Sequence, residues 1–151
     1  GLGRFDLVTA LDVLYHVVDD DKLAQALANI GDCMDDGALF AFHDQFLHRP
    51  TEDRGYIRWR SLDDWQRLLA HAGFTVLARR PIFFTMIQAN DGTPDELARA
   101  DARWRRLSPW IRRLPAASGA LLAQVDAWLA RSRDDGPSME VMLVKRHGGR
   151  Q

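Results

Sequence analysis

The sequence predicts an α/β fold, in which a mostly parallel sheet is covered by helices on both faces. Short apolar runs that contain β-branched residues alternate along the chain with amphipathic helical stripes, and Asp-Gly and Ala-Gly turns separate them. Alternation of this kind is typical of a sheet with helices on both sides. The stretch 90–135 departs from it, because helical patterns follow one another there without a strand. It therefore predicts a helical insertion before the last strand.

Composition places the chain among ordinary globular proteins, as a single domain over 1–151. Of its 151 residues, 46% are hydrophobic and 27% charged, and the formal net charge is -1. A chain with so little net charge has no overall field to attract nucleic acid, so we expect no nucleic-acid partner. Cys33 is the single cysteine, which excludes an internal disulfide and favours a reducing, cytoplasmic location. No apolar run approaches the roughly 20 residues of a membrane span, so none is expected.

The first part of the chain predicts a strand, a helix and a second strand. Phe5–Leu11 is an apolar run typical of a strand buried on both faces, and Asp19–Asp21 supplies carboxylates that suit the start of a helix. Asp35–Gly37 ends the helical pattern, and Ala38–Phe42 is the next buried strand. The helical stripe consists of Leu23, Leu27, Ile30 and Met34. The two strands of such a unit should be parallel.

The pattern then repeats once. Ser61 with Asp64 resembles a capping box, and Gly73 ends the helix that follows. Phe74–Phe84 predicts a third strand and Met139–Val144 the last one.

Between these two strands lie the helical patterns of the insertion. Thr93, Pro94 and Glu96 make a strong helix start. Ser108-Pro109 predicts the restart of a short helix, and the apolar spacing over 121–129 predicts a third helix.

Four segments, in order, resemble class I S-adenosylmethionine-dependent methyltransferases. Residues 5–17, Phe-Asp-Leu-Val-Thr-Ala-Leu-Asp-Val-Leu-Tyr-His-Val, resemble the fourth-strand motif of that family. A helix ending at Asp36-Gly37 before an apolar strand is similar to its next unit, although Pro-Gly-Gly is usual there. His-Ala-Gly-Phe at 71–74 resembles the lead-in to the sixth strand, and 138–146 resembles the last strand. Together these matches cover most of the chain apart from the insertion.

The resemblance implies a partial Rossmann-like sheet with strands in the order 4-5-7-6, the last strand antiparallel. Strands one to three would then be absent from the chain, together with the Gly-rich turn and the acidic residue that hold the cofactor. We therefore expect an incomplete piece of an enzyme, inactive alone, whose first strand is an open and aggregation-prone sheet edge. The insertion at 90–135 is a usual place for a substrate lid in this family.

The resemblance also assigns residues to a site at the carboxyl ends of the strands, where parallel sheets bind ligands. Ala10, Leu11 and Asp12 are expected beside the cofactor, S-adenosyl-L-methionine. Some related O-methyltransferases bind a metal through carboxylates and a histidine at this motif. Here Tyr15 stands in place of the second carboxylate, so no metal is expected.

The expected catalytic residues are two histidines and an aspartate near the same strand ends. His16 has a side chain that titrates near neutrality and could deprotonate a hydroxyl group, or it could simply fix its loop by hydrogen bonding. His43 and Asp44 follow the second strand and could meet the substrate or fix a loop. The expected substrate-binding residues are Tyr15, Tyr56, Arg58 and Trp59.

Arginines crowd the insertion and leave two interpretations open. Between 97 and 113 six arginines stand against one aspartate, with Trp104 and Trp110 among them. The stretch could clamp an anionic substrate, such as a phosphorylated or acidic sugar or a lipid head group, through charge-assisted hydrogen bonds. It could equally be a solvated helix face whose tryptophans lie in the core.

The resemblance implies methyl transfer to a small-molecule or glycan-type acceptor. Such a transfer is an in-line displacement that depends on positioning and on removal of a proton, so the residues do not reveal the acceptor or the atom methylated. The alternative is a non-catalytic α/β interaction module that retains part of a Rossmann-like sheet. Binding of the cofactor distinguishes the two. The sequence gives no indication of the oligomeric state.

Overall fold

A computed structural model describes residues 3–85 and 88–147. The elements in chain order are β1 (Phe5–Ala10), α1 (Asp20–Asp32), β2 (Met34–Asp44), β3 (Glu52–Asp53), β4 (Arg58–Trp59), α2 (Leu62–His71), β5 (Phe74–Pro81), α3 (Pro94–Arg113), α4 (Pro115–Ser132) and β6 (Glu140–Arg146). A single 3-10 turn at Leu14–His16 follows β1.

Four of the strands form one sheet in the order β1-β2-β6-β5, while β3 and β4 form a separate antiparallel pair. β1 and β2 are parallel, and Ala10 lies opposite Phe42 in their register. β6 runs antiparallel to β5, because the N–H of His147 bonds the carbonyl of Gly73 at one end while the N–H of Ile82 bonds that of Met139 at the other. The α/β class and the predicted strand order, with its antiparallel last strand, are confirmed.

The core lies where β2 meets α1 and α2. Every second residue of β2 from Ala38 to Asp44 is buried, and the rings of Phe40 and Phe42 stack with centroids 5.0 Å apart. Trp65 of α2 is fully buried, and its ring centroid lies 4.9 Å from that of Phe42. Leu23 and Leu27 of α1 are equally buried. This packing fixes β2, and with it the side chains at its carboxyl end.

Three of the predicted helix starts are confirmed. Asp19 is the N-cap of α1 and accepts the backbone N–H groups of Asp21 and Lys22. Ser61 caps α2 by accepting the N–H of Asp64. Thr93 and Glu96 form a reciprocal capping box at α3.

The boundary between α1 and β2 differs from the prediction. Met34 was expected on the helical stripe, but α1 ends at Asp32 and Met34 begins β2, fully buried. Gly37 has a φ of 79°, and the register between β1 and β2 shifts in this region. A glycine in this conformation lets a strand pass through an irregularity, so Asp35–Gly37 bends the strand instead of preceding it.

The insertion also differs from the prediction, since Pro109 does not restart a helix. α3 is continuous from Pro94 to Arg113 with Pro109 inside it. A proline removes one N–H and bends a helix without ending it when the neighbouring turns keep their own bonds. The next helix begins at Pro115, which occupies the first helical turn, where the missing N–H costs nothing. The third predicted strand is also shorter than expected, because β5 ends at Pro81.

Contacts divide the chain into two compact units. One consists of 1–79 with 141–151 and holds most of the sheet, while the other, 80–140, contains α3 and α4. In the second unit Asp126 is buried and accepts bonds from the backbone N–H and hydroxyl of Thr85 at 2.8 and 2.7 Å. Among the described residues, the helices all fall short of the length and apolarity needed to cross a membrane.

Candidate functional site

The carboxyl ends of β1 and β2 lie side by side and bring an acid and a histidine together. Asp12, two residues beyond β1, places a carboxylate oxygen 3.6 Å from Nε2 of His43, next to the last residue of β2. The Asp12 side chain is 67% exposed and that of His43 only 13%. A proton taken up by His43 at Nε2 would therefore meet a carboxylate at ion-pair distance.

The backbone of Asp12 has an uncommon conformation. Its φ is 55°, which makes it the one non-glycine residue with a positive φ in the described part of the chain. Aspartate tolerates this left-handed region better than most residues, and such conformations concentrate at functional sites. The turn exposes Leu11 and aims the Asp12 carboxylate toward β2.

Tyr15 supports the same carboxylate from the 3-10 turn. Its hydroxyl donates to Asp12 at 3.0 Å. Partial burial, followed by this hydrogen bond and the charge of Asp12, raises the pKa of Tyr15 above its usual value. The phenol therefore stays protonated at neutral pH and serves as a hydrogen-bond donor.

His16 is held by the loop that contains Tyr56. Its Nδ1 lies 3.2 Å from the carbonyl oxygen of Tyr56. Because a carbonyl only accepts, this bond requires a proton on Nδ1, and Nε2 of the neutral ring is then left with its lone pair. His16 is exposed, and its ring centroid lies 4.4 Å from that of Tyr15. Because Tyr15 bonds Asp12, His16 and His43 lie on either side of the Asp12–Tyr15 pair.

Asp44 is the buried acid of the site. It is fully buried, and burial raises its pKa to about 8 although the N–H of Gln45 and the nearby Arg60 oppose this. One carboxyl oxygen accepts the Gln45 N–H at 2.6 Å, and the other has no partner among the described residues. At neutral pH Asp44 is thus mainly a neutral carboxyl group that can donate one hydrogen bond.

Two arginines explain why Asp44 has no counter-ion of its own. Arg60, 1% exposed, donates to Asp20 at 2.9 Å and to the carbonyl of Val17 at 2.7 Å. Arg58 donates to the other oxygen of Asp20 at 3.0 Å and to the carbonyl of Val18 at 3.1 Å. The guanidinium groups are therefore engaged by the segment 17–20, which leads away from the Asp12 turn.

Further buried polar atoms lack hydrogen-bond partners within the described residues. They are Nη1 of Arg60, both amide atoms of Gln45, Nε1 of Trp65 and Nδ1 of His43.

The remaining predicted residues lie on the β3–β4 pair. Tyr56 is 73% exposed at the turn between these strands. The guanidinium of Arg54 covers the ring of Trp59 at 4.2 Å and also bonds Glu52 at 2.7 Å. Tyr56 is thus open to a ligand, whereas one face of Trp59 is covered.

The structure brings most of the predicted site residues together at the carboxyl ends of two neighbouring strands. Ala10, Leu11 and Asp12 end β1, while His43 and Asp44 end β2. Sequence reasoning missed Asp20, Gln45 and Arg60. The carboxylate of Asp20 stands among helix-start residues, so nothing in its local pattern distinguishes it from Asp19. No cluster of three metal-binding side chains occurs among residues 3–85 and 88–147.

Solved structures with a similar fold are methyltransferases and a cyclase. One is an O-methyltransferase from the trans-AT PKS multienzyme of Brevibacillus brevis in complex with S-adenosyl-L-homocysteine, at 16% identity and a TM-score of 0.54, covering 96% of this chain and 45% of that one. Another is the [4+2]-cyclase SpnF, at 15% identity and a TM-score of 0.51; the alignment covers 97% of this chain and 51% of the cyclase. The StiE O-MT aligns at 15% identity and a TM-score of 0.50, and the alignment covers 99% of this chain and 46% of that structure.

These likenesses show the fold, which is a partial class I methyltransferase fold. The chain spans about half the length of the structures it matches. No protein-family profile and no curated protein sequence matches it. Because one of the similar structures is a cyclase, the fold alone does not establish the reaction.

Proposed function

We propose that the chain is part of a cytoplasmic S-adenosylmethionine-dependent methyltransferase that acts on a small-molecule or glycan-type acceptor. The observation that carries the proposal is the contact between Asp12 and His43 at the carboxyl ends of two adjacent parallel strands. Ligands of open α/β sheets lie outside this edge. An acid–histidine pair there supplies a proton acceptor where a methyl acceptor would have to lose its proton.

The residues at the end of β1 fit a role beside the cofactor. Leu11 is 56% exposed and Ala10 is half-buried, so backbone and side chains at this position are open to a ligand. When bound there, S-adenosyl-L-methionine supplies a methyl group activated by the positive sulfur to which it is attached. Ala10, Leu11 and Asp12 would hold its methionine part, while the exposed edge of β1 would pair with the remaining cofactor-binding strands of a longer protein.

The chain's own residues would position the acceptor and receive its proton. We assign the proton to the imidazole of His43, because the Asp12 carboxylate near its Nε2 stabilises the resulting cation. Tyr15 holds Asp12 in place by donating to it. The neutral carboxyl of Asp44 is suited to donating a hydrogen bond, not to removing a proton, and its buried position supports a role behind the pair.

His16 is the second possible base of the proposed site. Its Nε2 is free to accept a proton when Nδ1 donates to the Tyr56 carbonyl. Tyr56 and Tyr15 are the residues we propose to contact the acceptor, because Tyr56 is exposed and Tyr15 adjoins both Asp12 and His16.

A methyl-transfer assay tests this proposal. The full-length protein encoded in frame with this chain is incubated with S-adenosyl-L-methionine labelled in its methyl group and with pools of hydroxylated small molecules, phosphorylated sugars included to test an anionic acceptor. We expect transfer to a hydroxylated acceptor. His43→Gln should lower kcat by roughly 100-fold or more, as loss of a general base does. The matched control is His71→Gln, which changes an exposed histidine on α2.

The outcome of this assay also weighs the alternative, an interaction module without catalysis. Its structural support is the exposed apolar surface at the start of the chain, where Phe5, Leu7 and Val13 are 41%, 56% and 51% exposed. The alternative would be favoured if the folded full-length protein transferred no methyl group to any pool of acceptors and the His43→Gln variant gave the same result.

A further inference from the structure

One face of α3 carries an uninterrupted row of basic and aromatic side chains. Arg99, Arg103, Arg106, Trp110 and Arg113 follow one another at intervals of four, three, four and three residues, and all are exposed. Positions with this spacing lie in one line along a helix. We refer to these five residues as the basic stripe.

The opposite face of α3 is the one that packs. Leu97, Trp104 and Ile111 are half-buried, and their spacing places them on the side away from the basic stripe. Trp110 is 65% exposed, so the two tryptophans of this helix have opposite surroundings. The tryptophan on the stripe is therefore not a core residue, and its ring is open to a partner.

Three of the four arginines of the basic stripe have no acidic partner within the described residues. Arg103, Arg106 and Arg113 form no ion pair there, and the Arg113 guanidinium lies 5.9 Å from the Trp110 ring centroid. Glu96, at the beginning of the helix, accepts two bonds from Thr93 in the capping box. These bonds and then the charge of Arg99 lower the pKa of Glu96, so the first arginine of the stripe has an acidic neighbour. From Arg103 onward the stripe presents positive charge without an acidic partner among the described residues, beside a concavity of about 420 Å³ lined by Arg99, Ala102, Arg103, Arg106 and Glu96.

Apolar side chains border the stripe on one flank. Leu107 and Leu114 are 46% and 64% exposed and are three residues before and four residues after Trp110. A helix surface that combines arginines with exposed tryptophan and leucine is typical of helices lying in the interface of an anionic bilayer, where guanidinium groups bind phosphates and apolar groups enter the acyl boundary. Nucleic acid would use the arginines but would leave the leucines without a partner.

We propose that α3 docks through the basic stripe on the surface of a bilayer that contains anionic phospholipids. The chain as a whole has a formal net charge of -1, so the attraction would come from the arrangement of charge on this face and not from the overall charge. The inference is independent of methyl transfer, and it concerns only the unit 80–140.

Vesicle flotation tests the proposal on the complete chain. Phosphatidylcholine vesicles are compared with vesicles in which part of the lipid is phosphatidylserine, at an ionic strength of about 0.15 M. Charges are screened over about 8 Å under these conditions, so arginines on opposite faces of a helix act separately on the membrane. We expect binding to the anionic vesicles only. With about 1 kcal/mol per basic residue near the surface, the double variant R103E/R106E should bind at least roughly 30-fold more weakly.

The matched control is R105E/R112E, which makes the same change of charge on the other side of the same helix, at two exposed positions. It should retain binding within a few-fold of the original chain. Equal losses in the two double variants would overturn the stripe as the docking surface. Equal binding to neutral and anionic vesicles, or no binding to either, would overturn it as well, as would preference for single-stranded RNA at equal phosphate concentration.

A second measurement does not depend on how the charge variants fold. Lipids with brominated acyl chains quench tryptophans that enter the acyl boundary. Fluorescence of the original chain should be quenched on anionic vesicles, and the Trp110→Phe variant should lose most of that quenching. Quenching that Trp110→Phe leaves unchanged would contradict insertion at the stripe.

Discussion

Asp44 shows how a single position can link stability to pH. Its folded-state pKa is about 8, against 3.8 for the free side chain, because burial disfavours its charged form. Between these two values the folded state holds a proton that the unfolded state has released. Its contribution to the free energy of unfolding therefore falls as pH rises through this window, by up to about 1.4 kcal/mol per pH unit.

The substitution Asp44→Asn removes this titration and keeps the shape of the side chain. We expect the free energy of unfolding of the variant, relative to that of the original chain, to increase from about pH 5 to about pH 8 and then to level off. Urea unfolding at several pH values measures the difference. A difference that does not change with pH would show that Asp44 is ionised in the folded protein.

Asp20 is the residue that neutralises the buried guanidinium of Arg60. Asp20→Asn should lower the free energy of unfolding by about 2 kcal/mol, because Arg60 is left with an uncompensated charge. The freed charge should also lower the pKa of Asp44. Asp21→Asn is the matched control, since it removes a carboxylate from the same helical turn without a bond to either arginine. Equal losses in the two variants would refute a specific role of Asp20.

Among the elements, capped helix starts were predicted well, whereas the ends of helices and irregular strands were predicted poorly. Caps depend on a few neighbouring residues, so Asp19, Ser61 and Thr93 could be identified without knowledge of the fold. The start of β2 at Met34 depends on pairing with Phe5 and on burial in the core, which no local pattern contains. The continuity of α3 through Pro109 likewise depends on turns at both sides of the proline.

Two glycines in helical surroundings should respond in opposite ways to the same substitution. Gly73 follows α2 with a φ of 81°, a conformation that a side chain strains, so Gly73→Ala should lower the free energy of unfolding by about 1 kcal/mol. Gly119 lies inside α4 with no atom within 4 Å of an added Cβ, so Gly119→Ala should raise it by about 0.5–1 kcal/mol. Thermal unfolding measures both. Changes of the same sign would contradict the assigned conformations.

At the scale of the whole molecule, the sequence predicted the sheet order because the four segments with family resemblance each contribute one strand. It predicted part of the site for the same reason, since residues at the carboxyl ends of parallel strands must be neighbours. The contact of Asp12 with His43 follows from that rule, but the bond network of Asp20, Arg58 and Arg60 does not. It joins residues about forty positions apart through a loop whose path the sequence pattern does not specify.

The edge of the sheet at β1 should make the chain self-associate. β1 pairs with β2 on one side only, and Leu7 on this strand is 56% exposed. Exposed edges of this kind pair with other chains, and a lysine on the edge opposes such pairing. Leu7→Lys should therefore reduce light scattering at high protein concentration. Leu121→Lys, at a leucine 66% exposed on α4, should have little effect, and an equal effect would assign the association to general hydrophobicity.

We propose that the carboxyl ends of β1 and β2 form part of a cofactor site. Calorimetric titration of the full-length in-frame protein with S-adenosyl-L-homocysteine tests this claim most directly. We expect saturable binding that Leu11→Asp weakens at least about 10-fold, because the variant places a charge where the ligand would lie against β1. Absence of binding to the folded protein, or binding that Leu11→Asp leaves unchanged, would contradict it.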